Sequence, residues 1–396
     1  MKKSILIFFM LATFFACNNR EKSIEVIKSV EFKTGFVDVF FRFLGYFYDE
    51  SSKQELVYFV EPDEIIKIFD INGKIINCIP LKKIIKEIGS RVEGISSYSK
   101  DTIFLLSMHH NKISVLNDSG TIVKSLIVDD ILPDSAKNMF EFYQFLPYQL
   151  NNKFEMIFWA YPDYSNIMNK LKKDNLPMLE QDIFYFSYFF EQPRLLIIKD
   201  FFSDSINAEF ILYDYYKKHY KADEAGMLSE AFFKQINDFI FVLSGSSNNI
   251  YVIDGETYKE LREIEVISKH TNIGFESVFS KDYRKNAIRL RDMMCYSGDI
   301  SNVFYNSKTK QYYVLVLHAL KNLEEWQYLH DGDYRPFSII IYNKNFENPK
   351  EYAFAANTYI CRNSFMSEEG LWIQRKPENL TRENYGTQTF DLIKFN

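Results

Sequence analysis

Short apolar runs separated by small polar turns recur along most of the chain. One run, Phe239–Ser244, is followed by a polar loop, a second run at 250–254, an Asp-Gly turn and a third run at 261–267. Val, Ile, Phe and Tyr dominate these runs, which is typical of strands that pack between two layers. An upstream run at 231–237 can supply a fourth strand. The pattern predicts a four-stranded antiparallel unit.

The same order of runs and turns recurs along the sequence. Asn72-Gly73 joins two apolar runs in one unit, and Asp118-Ser119-Gly120 joins two in another. Asn-Gly and Asp-x-Gly turns between apolar runs are strong hairpin signals. The predicted second strands of the units begin near residues 55, 102, 154, 239, 311 and 370. The sequence therefore predicts six units.

Two of these units are irregular. The unit between 142 and 213 has its second strand at 154–161 and its third at 194–201, with a long insertion between them. The last unit begins near 363 and has three strands before the chain stops. The strand-like stretch 23–32 near the N-terminus can supply the missing fourth strand.

Four-stranded units that repeat around a ring, with the last one completed by the opposite terminus, describe a β-propeller. We therefore expect an all-β, six-bladed β-propeller closed by the N-terminal strand. A pair of β-sandwiches is the structural alternative, but it explains neither the six repeats nor the missing last strand. Over residues 23–396 the chain resembles the group of TolB-like or NHL-like six-bladed propeller lipoproteins.

The N-terminus reads MKKSILIFFMLATFFAC. Lys2 and Lys3 precede an apolar stretch of twelve residues, 5–16, which is too short for a bilayer span of about 20 residues. The stretch is typical of a secretory signal. Cys17 at its end resembles the lipobox of bacterial lipoproteins, in which the cysteine is acylated. The resemblance implies a signal peptide at 1–16, a lipidated tether at 17–22 and a single propeller domain at 23–396. The alternative is an ordinary signal peptide with an incidental cysteine.

Charge and cysteine content narrow the possible functions. The chain has 396 residues and a net charge of −6, which argues against a nucleic-acid partner because phosphate binding needs a basic face. Three further cysteines, Cys78, Cys295 and Cys361, match no metal-binding spacing, and we expect all three to be buried free thiols. We expect no metal and no cofactor.

Propeller geometry predicts that the two ends of the ring differ. Connections from second to third strands, and from a fourth strand to the next blade, open on one face. Nearly every long segment falls in these connections, whereas the remaining turns are short. The long segments are about 162–193, 214–230, 268–299, 319–336 and 376–388. We call this side the elaborated face and the opposite side the plain face. Long loops on a rigid scaffold usually carry binding sites.

Candidate site residues follow from the ends of the predicted second strands. They are Glu61, His109, His110, Tyr161, His318 and Arg375. One interpretation makes the histidines metal ligands or acid–base groups at the channel mouth. The other, which we favour, makes these residues polar rim groups that hydrogen-bond neighbouring loops.

The sequence contains no GxSxG, P-loop, HExxH or dinucleotide fingerprint. We therefore expect a non-catalytic lipoprotein of the bacterial cell envelope, at the outer membrane or the cell surface. Its elaborated face would bind a partner protein or a small ligand. The alternative is a propeller hydrolase or lyase that acts on a glycan or peptide at the central channel mouth.

Overall fold

The protein consists of six four-stranded antiparallel sheets. The computed structural model describes residues 24–35, 44–61, 64–92, 94–107, 111–134, 136–137, 140–171, 175, 195–211, 231–244, 247–274, 297–321, 334–377 and 386–396. His109 and His110 lie outside the described residues. Each sheet takes its strands in chain order, except the last, which combines the strand at 24–33 with the last three strands of the chain.

We number the sheets as blades 1 to 6 along the chain. Blade 1 contains β2 (Leu44–Asp49), β3 (Gln54–Glu61), β4 (Ile65–Asp70) and β5 (Ile75–Pro80). Blade 2 contains β6 (Gly94–Ser99), β7 (Thr102–Ser107), β8 (Lys112–Leu116) and β9 (Ile122–Ile127). Blade 3 contains β10 (Phe140–Leu150), β11 (Lys153–Pro162), β12 (Leu195–Lys199) and β13 (Asn207–Ile211). Blade 4 contains β14 (Ala231–Ile236), β15 (Phe239–Ser244), β16 (Asn249–Asp254) and β17 (Glu260–Glu265). Blade 5 contains β18 (Asp299–Asn306), β19 (Gln311–Leu317), β20 (Phe337–Tyr342) and β21 (Lys350–Phe354). Blade 6 contains β22 (Tyr359–Met366), β23 (Leu371–Arg375), β24 (Thr387–Phe395) and β1 (Ile24–Lys33).

The first strand of each blade is the innermost, and these strands contact one another in a closed cycle. β2 touches β6, β6 touches β10, and the contacts continue through β14, β18 and β22 back to β2. The ring confirms the six-bladed β-propeller that the sequence predicts.

β1 closes the ring by pairing with β24. The register places Ile24 opposite Phe395 and Lys33 opposite Thr387, with one irregularity between Val26 and Lys28. The N-terminal strand thus supplies the missing fourth strand, as predicted. Pairing of this kind removes a free edge that could otherwise template aggregation.

The hydrophobic core is divided into layers, one between each pair of neighbouring blades. Between blades 6 and 1, the ring centroid of Phe32 on β1 lies 5.1 Å from that of Phe59. The same ring meets those of Phe69 and Phe390 edge-on, with centroids 5.5 Å apart in each pair. Middle strands are covered on both sides, so all six residues of β20 are buried. This explains why those strands read as continuous apolar runs.

Three described helices lie in connections of the elaborated face: α1 (Leu81–Ile88) between blades 1 and 2, α2 (Val128–Ile131) between blades 2 and 3, and α3 (Tyr164–Leu171) between β11 and β12. In α1 the buried residues Leu81, Ile84 and Ile88 share one side of the helix and join the core between its two blades. None of the described helices is long and apolar enough to cross a membrane.

One cysteine differs from expectation. Cys361 is buried, and burial raises the pKa of its thiol to about 12. Cys78 is instead exposed, because it lies on β5, the outermost strand of blade 1, which no further strand covers. Cys295 lies outside the described residues.

Candidate functional site

The predicted site residues lie on different blades. Glu61 ends β3 in blade 1, and its carbonyl oxygen accepts a bond of 3.1 Å from the amide of Glu64. Tyr161 lies on β11 in blade 3, opposite Glu141 of β10. His318 follows β19 in blade 5, and Arg375 ends β23 in blade 6. Among the described residues, no hydrogen bond joins any two of Glu61, His318 and Arg375, so these three do not form one constellation.

Arg375 holds the closing blade together. Its Nε and Nη2 lie 2.9 and 2.7 Å from the two carboxylate oxygens of Asp391 on β24. Ser29 of β1 donates to the same carboxylate at 2.7 Å, and Tyr359 of β22 donates at 3.0 Å. Asp391 is fully buried, and its partners come from the other three strands of blade 6. Bidentate, charge-assisted bonds of this kind are stronger than neutral ones. We name these four residues the closing clasp.

His318 belongs to a second polar cluster, at the elaborated face of blade 5. Its Nε2 lies 2.7 Å from the hydroxyl of Ser338, the second residue of β20. The ring of His270, in the connection after β17, stacks on that of His318 with centroids 5.6 Å apart and planes 16° apart. Burial lowers the pKa of His318 to about 4, with His270 adding to the effect. His318 is therefore neutral at pH 7.

Glu351 on β21 supplies the negative charge of this cluster. Ser268 donates to Oε1 at 2.6 Å, and the amide of Lys269 donates to Oε2 at 2.7 Å. Burial works against the charged carboxylate, but these donors, together with Ser338, lower the pKa of Glu351 overall. Glu351 is therefore ionised at neutral pH.

The charges assign the direction of the hydrogen bonds that Ser338 makes with Glu351 and His318. The Ser338 hydroxyl is among the donors that lower the pKa of Glu351, and an ionised carboxylate is a stronger acceptor than a neutral imidazole, so we assign the Ser338 proton to Glu351. The Ser338 oxygen then accepts from Nε2–H of His318, which leaves Nδ1 of that ring as an acceptor. This order differs from a hydrolytic triad, in which the serine donates to the histidine and the acid binds the other ring nitrogen.

Arg335 ties the surrounding loops to the same cluster. Its Nε donates to the carbonyl oxygen of His318 at 2.8 Å, and its Nη2 donates to that of Ser297 at 2.8 Å. The hydroxyl of Thr271 accepts from the amide of Ala319 at 2.9 Å. These bonds join the connection between blades 4 and 5 to the β19–β20 connection. We name His270, His318, Arg335, Ser338 and Glu351 the blade 5 cluster.

Sequence reasoning identified one member of the blade 5 cluster, His318. Ser338 interrupts an otherwise apolar run, and this signal could have been noticed. Glu351 and Arg335 stand among many charged residues in loops and strand ends, and only the folded register brings them to His318. Within the described ranges no group of three or more His, Cys, Asp or Glu residues could hold a metal ion.

Two solved structures of Bacteroides proteins share this architecture. A member of the DUF4221 family from Bacteroides vulgatus superposes with a TM-score of 0.70 at 14% identity, over 96% of this chain and 99% of that one. A "Putative exported protein" from Bacteroides fragilis superposes with a TM-score of 0.50 at 8% identity, over 94% and 95% of the two chains. No protein-family profile and no curated protein matches the chain. At these identities the likeness concerns the fold, which is that of a six-bladed β-propeller.

Proposed function

We propose that this protein is a lipid-anchored propeller of the bacterial envelope that binds a partner protein through its elaborated face, without catalysis. The observation that carries the proposal is the blade 5 cluster. Its hydrogen bonds fix two neighbouring connections of that face against each other. Loops held in one arrangement before binding lose less entropy when a partner docks. The partner would contact the exposed side chains of these connections, which are Lys269, His270 and Lys321.

The same cluster argues against the alternative of a hydrolase. Ser338 is fully buried, and its proton is directed to Glu351 rather than to an imidazole base. A nucleophilic serine must be reachable by substrate and activated by a base. The blade 5 cluster satisfies neither condition and acts as a structural support.

The position of β1 supports a specific orientation of the anchored protein. Ile24 pairs with Phe395 at the end of blade 6 that belongs to the plain face. A chain acylated at Cys17 would reach Ile24 through a tether of at most about 25 Å. The plain face would then lie toward the membrane and the elaborated face away from it. The likeness to the "Putative exported protein" of Bacteroides fragilis agrees with an envelope location.

Site-specific photocrosslinking in cells that express the full chain tests the docking surface. The crosslinking amino acid replaces His270, Lys321 or Thr358 on the elaborated face, and matched positions Ser52, Lys308 or Asn345 on the plain face. We expect discrete crosslinked protein bands from the elaborated face only. Equal crosslinking from both faces, or bands from the plain face alone, would contradict the proposal.

The anchor is tested separately by metabolic labelling with an alkyne fatty acid. We expect the wild-type protein to incorporate label and the Cys17→Ser variant to lose it. Exposed Cys78 provides the matched control, because Cys78→Ser should leave labelling unchanged. Label retained in Cys17→Ser would show that another residue is acylated.

A further inference from the structure

Lys234 places a positive charge at the inner rim of the ring. It lies on β14, the innermost strand of blade 4, and its Nζ is 4.9 Å from the centroid of the Phe304 ring. Phe304 belongs to β18, the innermost strand of blade 5. Both residues therefore lie on strands at the centre of the ring, and the Phe304 ring packs in the core layer between blades 5 and 6.

Among the residues that the structure describes, the Lys234 ammonium has no anionic partner. No described carboxylate lies within ion-pairing distance of it, and no described side chain or carbonyl accepts a hydrogen bond from it. Burial alone lowers the pKa of this amine to about 8, with no contribution from any described charged group. Arg335 and Arg375, by contrast, both donate to protein oxygens. A cation of this kind is costly to bury unless something neutralises it.

An exposed aromatic side chain continues the same side of β14. Alternate residues of a strand share a side, so Phe232, Lys234 and Ile236 point the same way. Ile236 packs in the core layer between blades 4 and 5, which fixes the direction of all three. Phe232 is 45% exposed although it lies on an innermost strand, so there is open space beside it. Phe232 is also one residue from the elaborated end of β14.

This arrangement has one charged contact and two apolar ones. Phe232 is two residues nearer the elaborated end of β14 than Lys234, and the Phe304 ring lies beside the Lys234 ammonium. A ligand that enters from that face would pass Phe232 before it reached the amine. Small-molecule sites commonly combine mostly apolar walls with a single polar group that fixes orientation.

We propose that Lys234 anchors a binding site in the central channel for an amphipathic carboxylate. The carboxylate would pair with the ammonium of Lys234, and the apolar chain would lie along Phe232 toward the elaborated face. The ligand would supply the negative charge that no described residue places there.

Calorimetric titration of the purified protein with octanoate tests this site, with octan-1-ol as a neutral probe of the same chain length. We expect octanoate to bind at pH 7 and octanol to bind at least tenfold more weakly. Octanoate affinity should fall as the pH is raised above about 8, because the amine loses its charge. No heat from octanoate, or equal affinity for both probes, would overturn the proposal.

Two variants assign the binding to this residue. Lys234→Met should weaken octanoate binding at least tenfold, whereas Lys234→Arg, which keeps the charge, should bind within about threefold of wild type. Lys308→Met on the plain face is the control and should bind like wild type. Thermal melts establish that each variant is folded. Unchanged binding by folded Lys234→Met would overturn the assignment.

Competitive labelling gives an independent readout on the unmodified protein. Acetic anhydride at pH 8 should acetylate Lys234, and octanoate should slow that reaction without slowing acetylation of Lys308. Failure of octanoate to protect Lys234 would contradict the proposal. None of these outcomes depends on crosslinking at the elaborated face, so the channel site and the partner surface can fail separately.

Discussion

At the residue scale, the blade 5 cluster shows how burial fixes a protonation state. His318 is 8% exposed, and its Nε2 has the Ser338 hydroxyl as a partner at 2.7 Å. Protonation would place a cation in a desolvated position beside His270. The folded state therefore contains the neutral ring, and acid should destabilise the fold by protonating that ring.

Acid titration of stability tests this conclusion. The pKa of His318 is about 4 in the folded protein and 6.5 in the unfolded chain. The unfolded chain binds the extra proton between these values, so the free energy of unfolding should fall as the pH falls from 6.5 to 4, by at most about 3 kcal/mol. The contribution of Glu351 to stability is also lost as the pH falls, but only below its ordinary pKa of 4.5.

Denaturant melts between pH 4.5 and 6.5 isolate the histidine. We expect His318→Gln, whose amide nitrogen replaces Nε2, to flatten the slope in this window. Exposed His270→Gln should keep most of the slope. An unchanged slope in His318→Gln would show that another group titrates in this window.

At the scale of elements, the closing clasp converts a terminal strand into part of a sheet. Asp391 receives bonds from Arg375, Ser29 and Tyr359, which belong to the three other strands of blade 6. Removing one partner of a buried charge leaves the other uncompensated, and this is more costly than losing an exposed ion pair.

Substitution of the clasp arginine should therefore destabilise the protein strongly. We expect Arg375→Met to lower the free energy of unfolding by about 2–4 kcal/mol. Lys394→Met is the control on β24, because Lys394 pairs with Glu25 at 3.8 Å and both side chains are exposed. That change should cost less than about 1 kcal/mol. Equal effects in chemical denaturation would show that the clasp adds nothing beyond a surface pair.

A turn of blade 1 also packs against the closing strand. Gly73 has a φ of +86°, and a Cβ there would lie 2.4 Å from the carbonyl oxygen of Glu31 on β1. Gly89, at the end of α1, has a φ of +81° but open space around it. Gly89→Ala should thus cost about 1 kcal/mol from backbone strain alone. Gly73→Ala should cost at least about twice as much in denaturant melts, because β1 must also move. Similar costs would mean that the turn and β1 separate easily.

The sequence was sufficient for the blades but not for the side-chain contacts within and between them. Apolar runs and Asn72-Gly73 predict hairpins because strand and turn chemistry is local, and even the contribution of β1 to blade 6 follows from a count of strands. The pairing of Arg375 with Asp391 is different. These residues are separated by an insertion, and only strand register decides that they meet. Likewise, the side of β14 that carries Lys234 depends on which neighbouring blade it faces.

At the scale of the whole molecule, one strand completes the ring. Without β1, strand β24 would have a free edge, and Phe390 and Phe59 would lose the ring of Phe32 between them. The six blades form one cycle, so an opening at this seam affects the entire closure rather than one sheet.

Deletion of residues 24–33 should therefore abolish a cooperative thermal transition and favour aggregation. A synthetic peptide with the sequence of 24–33 should restore the transition by adding a strand to the open edge. A scrambled peptide of the same composition is the control and should not restore it. A deleted protein that melts like the full chain would show that the ring does not need this strand.

The direction in which β1 enters the fold also determines how the molecule would carry mechanical load. A pull on a tether at residue 17 would reach Ile24 from the plain face and act along the axis of β1. The bonds between β1 and β24 would then share the force in shear, instead of opening one after another as in a strand peeled from its end. Tension on such an anchor would therefore meet its greatest resistance at the seam where the ring is closed.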